Sequence, residues 1–296
     1  MSAIEITELG KLFKGGKGAT VRALQGITFS VAQGEVFGFL GPNGAGKSTT
    51  IKSIMGQLTP TSGQVKIYGV PASDPAARLR IGYLPENPAF YDFLTAREYL
   101  YFVGRIFAMT ETKIADKADE VLDLLELTAA ADRPVRGYSK GMVQRLGLAQ
   151  ALLHDPDIYI LDEPMSGLDP LGRALVKDII KKLHSSGKTI FFSTHITADV
   201  EMVCDRVGVI VGGRLQAVDR VSTILEQGET GYRIYVTSSQ GMPGEHDISK
   251  NELPVFIARS SAQGDTIVRV EPRRKDLESF FLETVARGAD ERIKAP

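Results

Sequence analysis

The stretch Gly38–Thr50, GFLGPNGAGKSTT, decides how the rest of the chain is read. From Gly41 to Ser48 it carries the spacing G-x-x-x-x-G-K-S, behind an apolar run and ahead of a segment that reads as a helix from Gly46 to Gly56. Strand, glycine-rich turn and helix in this order make a phosphate cradle. Glycines let backbone N–H groups curl around phosphate oxygens, and the helix N-terminus adds positive potential. Lys47 is placed to neutralise β- and γ-phosphates, and the Ser48 hydroxyl to ligate Mg2+. The candidate nucleotide-binding residues are Gly41, Pro42, Asn43, Gly44, Ala45, Gly46, Lys47, Ser48 and Thr49.

Outward from this loop, IEITEL (Ile4–Leu9), GITFSV (Gly26–Val31) and GQVKIYG (Gly63–Gly69) are short β-rich runs punctuated by glycine. From Thr95 to Leu153 the pattern is helical. Thr95 and Glu98 have capping-box spacing, and Ile114, Ala118, Val121 and Leu125 mark one apolar face. DIYILDEP (Asp157–Pro164) and KTIFFSTH (Lys188–His195) are continuous apolar runs ending in polar residues, as expected of parallel strands covered on both faces. RVGVIVGGRLQAVD reads as a hairpin turned at Gly212-Gly213. A boundary is expected between Val221 and Gly231, followed by strands YRIYVT and DTIVRV and a closing helix bearing Leu277, Phe280, Phe281 and Val285. Arg273, Arg274 and Lys275 read as a solvated cluster.

The 296 residues suffice for a large core, and the formal net charge of −1 leaves no electrostatic footprint for nucleic acid. The single cysteine, Cys204, excludes an internal disulfide, fits a reducing compartment and reads as a structural thiol. The N-terminus does not read as a signal peptide, and no apolar run approaches the ~20 residues that span a bilayer. A soluble, cytosolic chain is expected.

Two further features carry chemistry. Asp162 and Glu163 end an apolar strand, where the carboxyl edge of a parallel sheet opens onto a ligand crevice. Asp162 would hold Mg2+ through water, and Glu163, projecting differently, could take a proton from an attacking water. Ser139 sits where an N-cap belongs at the start of an apolar-faced helix, with Gly141 leaving the backbone bare behind it. Such a helix mouth suits an anion, although the phosphate loop lies far upstream.

With these motifs in this order, the chain resembles the ATP-binding subunits of ABC transporters from Met1 to about Asp219. The resemblance implies that Phe13 stacks on adenine and that Ser166, Gly167, Leu168 and Asp169 form the D-loop. It also implies that His195 is the switch histidine bonding the γ-phosphate. Tyr138-Ser139-Lys140-Gly141-Met142 stands for the signature usually written LSGGQ. In the family, two such domains pack head to tail, so Ser139, Lys140, Gly141 and Met142 would cover a partner's ATP. Glu86 aligns where the Q-loop normally has glutamine; a glutamate there still approaches Mg2+ or water but adds negative charge near the triphosphate. Ser48, Asp162 and Glu86 are the expected metal-site residues, and Glu163, His195 and Lys47 the expected catalytic ones. YLPEN and YSKGM together are similar to the ATPase subunit of a copper transporter. RRKDLESFFLETV is similar to the closing helix of subunits serving exporters of the type 2 class.

The expected fold is therefore an α/β P-loop NTPase core with an antiparallel β-subdomain, an inserted helical subdomain at about 87–153 and a small C-terminal α+β extension. Residues 1–221 would form the nucleotide-binding domain and 222–296 an accessory or regulatory extension. The expected function is ATP hydrolysis that powers a transporter, with export the favoured direction and a drug, lipid, ion or copper-related cargo. Expected partners are separate transmembrane permease subunits and a second copy or a homologous ATPase subunit, with the chain peripheral on the inner membrane face. A soluble cassette acting on nucleic acid would call for paired phosphate loops, coiled coils or a basic face. A small-molecule kinase or GTPase would carry an acceptor pocket or guanine motif and no signature or D-loop.

Overall fold

The structure is a computed structural model that describes residues 1–15, 20–227, 229–274 and 276–294. Strands β1 (Ser2–Lys14), β2 (Thr20–Ala32) and β3 (Val36–Leu40) lead into helix α1 (Lys47–Ile54). Next come β4 (Ser62–Ile67), β5 (Val70–Pro71), the short α2 (Pro75–Arg78) and β6 (Ile81–Leu84). Helices α3 (Ala96–Ile106), α4 (Glu111–Leu124) and α5 (Lys140–Leu152) follow. Then alternate β7 (Ile158–Asp162), α6 (Pro170–Ser185), β8 (Thr189–Thr194), α7 (Thr197–Val203), β9 (Arg206–Val211), β10 (Arg214–Arg220) and α8 (Val221–Gln227). The chain closes with β11 (Glu229–Thr237), β12 (Pro243–Ser249), α9 (Leu253–Ala262), β13 (Thr266–Arg274) and α10 (Leu277–Lys294). Lys275 and the side chains of Arg273 and Arg274, read above as a solvated cluster, lie outside the described residues.

Among the described residues the central sheet runs β10-β9-β3-β8-β7-β6, parallel from β9 to β6 with β10 antiparallel at the edge. Strands β3, β7 and β8 are buried along their whole length because their apolar runs are covered on both faces, whereas the edge strand β10 is partly exposed. Val36, Leu40, Tyr159, Leu161, Ile190 and Phe192 face the helical core, while Phe37, Phe39, Ile158, Ile160 and Phe191 face an antiparallel sheet, β2-β1-β4-β5. On that second face Phe29 stacks on Phe37 at 5.3 Å, and Phe37 on Phe191 at 5.8 Å. Each such fully buried side chain stabilises the fold by roughly 1.5–3 kcal/mol. Gly38 lets α7 lie close: a Cβ there would stand 2.8 Å from the Cys204 sulfur and 3.1 Å from Val200. Burial pushes the Cys204 thiol well up, in keeping with its structural reading.

The helical insertion follows its sequence signals. Thr95 and Glu98 close a reciprocal capping box on α3, and Ile114, Ala118, Val121 and Leu125 are all buried. The tail is more structured than the sequence reading. Besides the two expected strands it has β12, whose PGEHDIS sequence lacks apolar alternation, and α9, which covers Ile234 and Val236 with Phe256. Helix α10 then returns to the central core, with Leu277 fully buried and Phe280, Phe281 and Val285 packed against the same cluster.

His154, just past α5, stacks flat on Phe107 at 3.7 Å and donates Nε2–H to the Ile81 carbonyl at 3.2 Å. Its Nδ1 is buried without a partner, so protonation would strand a donor, and burial brings the pKa down to about 4. The unfolded ring takes its proton near pH ~6.5. The stability this residue contributes is therefore complete above that pH and is lost as the pH falls through about 4. NMR titration is expected to show His154 neutral down to pH ~5; a midpoint near 6.5 would dismiss the buried-ring account.

Candidate active site

The carboxyl ends of β3, β6 and β7 and the turn after β9 open onto one cleft of about 490 Å³, and His195, after β8, adjoins it through Glu163. Pro42 to Thr49, Glu86 and Glu163 line it, together with Val21, Arg22, Ala23 and Gly212, which the sequence reading did not anticipate. The phosphate loop holds its curve through glycines with positive φ, +75° at Gly44 and +111° at Gly46, the latter at the N-cap of α1. Space is equally strict. A Cβ on Gly41 would stand 2.5 Å from the Ile210 carbonyl oxygen, and one on Gly46 2.9 Å from that of Ala23.

Lys47 is buried and its ammonium points back into the loop, donating to the Gly41 carbonyl at 2.7 Å and lying 3.4 Å from a Glu163 oxygen. His195 Nδ1 lies 3.1 Å from both Glu163 oxygens. The three expected catalytic residues thus form one contiguous group. Glu163 directly follows β7 and sits in the left-handed region, at φ 49°, which costs roughly 1–2 kcal/mol for a side-chain-bearing residue. Local bonds hold it there. Its N–H donates to the Ser193 carbonyl and hydroxyl at 3.2 and 3.1 Å, and its carbonyl accepts from Ser166 N at 3.0 Å. The turn aims the Glu163 carboxylate into the cleft, while Asp162, one residue earlier, stays behind it with 3% exposure. Ser193 Oγ donates to Asp162 at 2.5 Å. Burial pushes the Asp162 carboxyl up; the Ser193 and Ser48 hydroxyls and Lys47 favour its anion, and the Glu86 charge opposes it.

Phe13 lies on β1 opposite Val21, 40% exposed, and does not itself line the cleft, although Val21 does. Ser139, Lys140, Gly141 and Met142 are also outside it. Ser139 caps α5, accepting from Met142 N at 3.2 Å, and the helix mouth abuts the D-loop. A Cβ on Gly167 would stand 2.7 Å from Lys140 Cε, and one on Gly141 3.5 Å from Leu168. Asp169 accepts from Gly172 N at 2.8 Å as the N-cap of α6, so its carboxylate is committed to that helix. Two positioning residues escaped the sequence reading. Ser193 is one. The other is Gln144, 4% exposed, whose amide donates to the Glu163 and Pro164 carbonyls at 3.3 Å each. The available signal was an amide recurring within an otherwise apolar helix face.

A parallel sheet whose strand ends bring a phosphate loop, an acidic pair and a histidine together defines a P-loop nucleotide-binding domain. Residues 24–166 match the family described as ABC transporter. Over 298 aligned residues the chain is 42% identical to an uncharacterized ABC transporter ATP-binding protein of Synechocystis sp., covering 95% of this chain and 84% of the relative. It is 33% identical over 257 residues to the linearmycin resistance ATP-binding protein of Bacillus subtilis, covering 83% of each. A dimeric ATP-binding cassette in a post-hydrolysis state, bound to ADP and Pi, is similar at TM-score 0.69 and 26% identity, over 74% of this chain and 98% of that one. The chain belongs to the ABC transporter family as an ATP-binding subunit. It is an ATPase whose hydrolysis of ATP powers a transporter.

Gln144→Ala would leave the buried Pro164 carbonyl without its donor and the Glu163 carbonyl with Ser166 N alone. Urea denaturation should register a loss of about 1–3 kcal/mol. Hydrolysis should slow more than ADP binding weakens, and an unchanged rate would reduce Gln144 to a packing role.

Proposed function

We propose that this subunit closes around two Mg·ATP with a second copy of itself or a homologous ATPase subunit. The observation that carries this reading is the separation of the two motif groups. The Ser139 helix mouth and the D-loop form one surface, yet none of Ser139 to Met142 lines the chain's own phosphate cleft. A capped helix N-terminus suits a triphosphate, so its fitting ligand is a partner's nucleotide. The dimeric state of the similar ADP-bound cassette supports this arrangement. ATP between the halves neutralises the facing helix termini; hydrolysis removes a contact and lets them part.

Within the cleft, Lys47 stabilises phosphate charge and Glu163 accepts the proton of the attacking water. His195 orients Glu163 by donating Nδ1–H to its carboxylate, which leaves the other edge of the ring toward the γ-phosphate. The donor set fits magnesium. The Ser48 hydroxyl and the Asp162 carboxylate are hard oxygens that already interact, and Glu86 faces the same cleft. When bound, magnesium would be held by Ser48 and Asp162, with Glu86 on the same cleft, and would supply charge neutralisation on the transferring phosphoryl group. Phe13 serves adenine from the cleft's outer edge, beside Val21.

Residues 1–221 act as the nucleotide-binding domain and 222–296 as an accessory extension. Separate permease subunits dock on the helical insertion near Glu86, where exposed Tyr91, Phe93 and Phe102 form an aromatic patch. Among the described residues no helix is long and apolar enough to cross a membrane, in keeping with a peripheral place on its inner face. Export is the favoured direction, supported by a relative named for Nod factor export.

Light scattering of Glu163→Gln is expected to show a dimer with Mg·ATP, and a monomer with Mg·ADP or without nucleotide. A monomer in all three conditions would end the homodimer reading. Lys47→Ala should weaken Mg·ATP binding by at least about tenfold, since it deletes a charged hydrogen-bonding partner. Retained affinity in equilibrium titration would count against the loop's role.

A further inference from the structure

Two cationic side chains line the nucleotide cleft, Lys47 and Arg22, and they differ in commitment. Lys47 already serves the Gly41 carbonyl and Glu163. Arg22 is exposed and has no hydrogen bond or ion pair among the described residues. Its position is nevertheless well determined. On β2, Leu24 pairs with Lys11 and Arg22 with Leu12, which makes Ala23 the extra residue of a β-bulge. A bulge re-aims its neighbouring side chains and often stands beside an active site. The Ala23 carbonyl then packs so closely on the phosphate loop and the β9–β10 turn that Cβ atoms on Gly46 and Gly213 would stand 2.9 and 2.5 Å from it. Gln25 fastens the same strand by donating its N–H to the Gly213 carbonyl and its side chain to that of Gly212, each at 2.8 Å.

Resting on the nucleotide-site reading above, we infer that Arg22 is a second phosphate-binding residue of this cleft, gripping the α- or β-phosphate of ATP and ADP from the β2 wall. Charge argues for it. Glu86 and Glu163 line the cleft that receives a polyanion, so a cation beyond Lys47 offsets repulsion that Glu86 adds. Geometry argues for the phosphates nearest α1. Arg22 adjoins Ala23, which lies on Gly46 at the helix mouth, whereas the tip of Lys47 is turned toward Glu163. A planar guanidinium offers two parallel donors to a phosphate, a geometry that a lysine supplies only as a point charge. Stability does not explain the residue, because Leu24 supplies the core contact of this segment and Arg22 makes no hydrogen bond or ion pair among the described residues.

The test is calorimetric titration of the full chain with Mg·ADP, for the native protein, Arg22→Ala, Arg22→Lys and Lys47→Ala. Arg22→Ala should weaken binding about tenfold, with an unchanged unfolding midpoint in the absence of nucleotide. Its affinity should also depend less steeply on salt, a change that a structural role would not produce. Arg22→Lys should recover part of the loss. Native affinity in Arg22→Ala, with Lys47→Ala impaired, would overturn the role of Arg22 and leave the nucleotide site standing. Failure of the native protein itself to bind Mg·ADP would overturn both.

Discussion

The phosphate loop is wedged between two walls that leave no room for a side chain. The Ile210 carbonyl stands over Gly41 on one side and the Ala23 carbonyl over Gly46 on the other. The loop therefore joins the parallel sheet, through β9, to the antiparallel sheet, through β2. The bond from Gly213 N to the Ala45 carbonyl at 2.8 Å closes the same junction. A methyl group at either glycine would push apart two sheets that share the Phe29, Phe37, Phe39 and Phe191 stack. Phosphate binding and sheet packing thus rest on one close approach, which explains why backbone, more than side chains, forms the cradle.

A second arrangement concerns charge. Asp162 and Glu163 are adjacent in sequence, yet the left-handed turn at Glu163 gives them different surroundings. Asp162 is buried behind hydroxyls, a setting that suits a carboxylate awaiting a cation. Glu163 is held between Lys47 and His195 at the cleft wall. The strain of its backbone is offset by the bonds from Ser193, Ser166 and Gln144. Gln144 lies on the helix that begins at Ser139, so the signature helix and the catalytic strand end form one hydrogen-bonded unit.

Features that depend on local spacing were legible in the sequence. The phosphate loop, the Thr95 capping box, the Ser139 cap and the doubly buried strands each announce themselves within a few residues. The strand runs could be read because their apolar residues are uninterrupted, the pattern of a sheet covered on both faces. What stayed hidden depends on distant approach. The Ala23 bulge exists only relative to the register of β1, and Gln144 earns its place only once β7 ends beneath α5. The polar β12 carries no apolar alternation, because its own Glu245 and Asp247 form charge pairs with Arg233 of β11. Phe13 was found by its motif position, but its distance from the cleft lining is set by the pairing of β1 with β2.

The closing helix joins this same machinery. Helix α7 starts two residues after His195, and its Asp199, 2% exposed, accepts ion pairs from Arg173 at 3.3 Å and Lys177 at 2.9 Å. Both cations lie on α6, the helix that Asp169 of the D-loop caps. Loss of both cations would leave the buried Asp199 carboxylate uncompensated, so the two pairs tie α7 to α6. Leu277 and Phe280 of α10 pack into the core cluster that also contains Val200 and Val203 of α7. The D-loop cap, α7 and the Leu277–Val285 stretch of α10 are therefore joined by contiguous ion pairs and apolar packing.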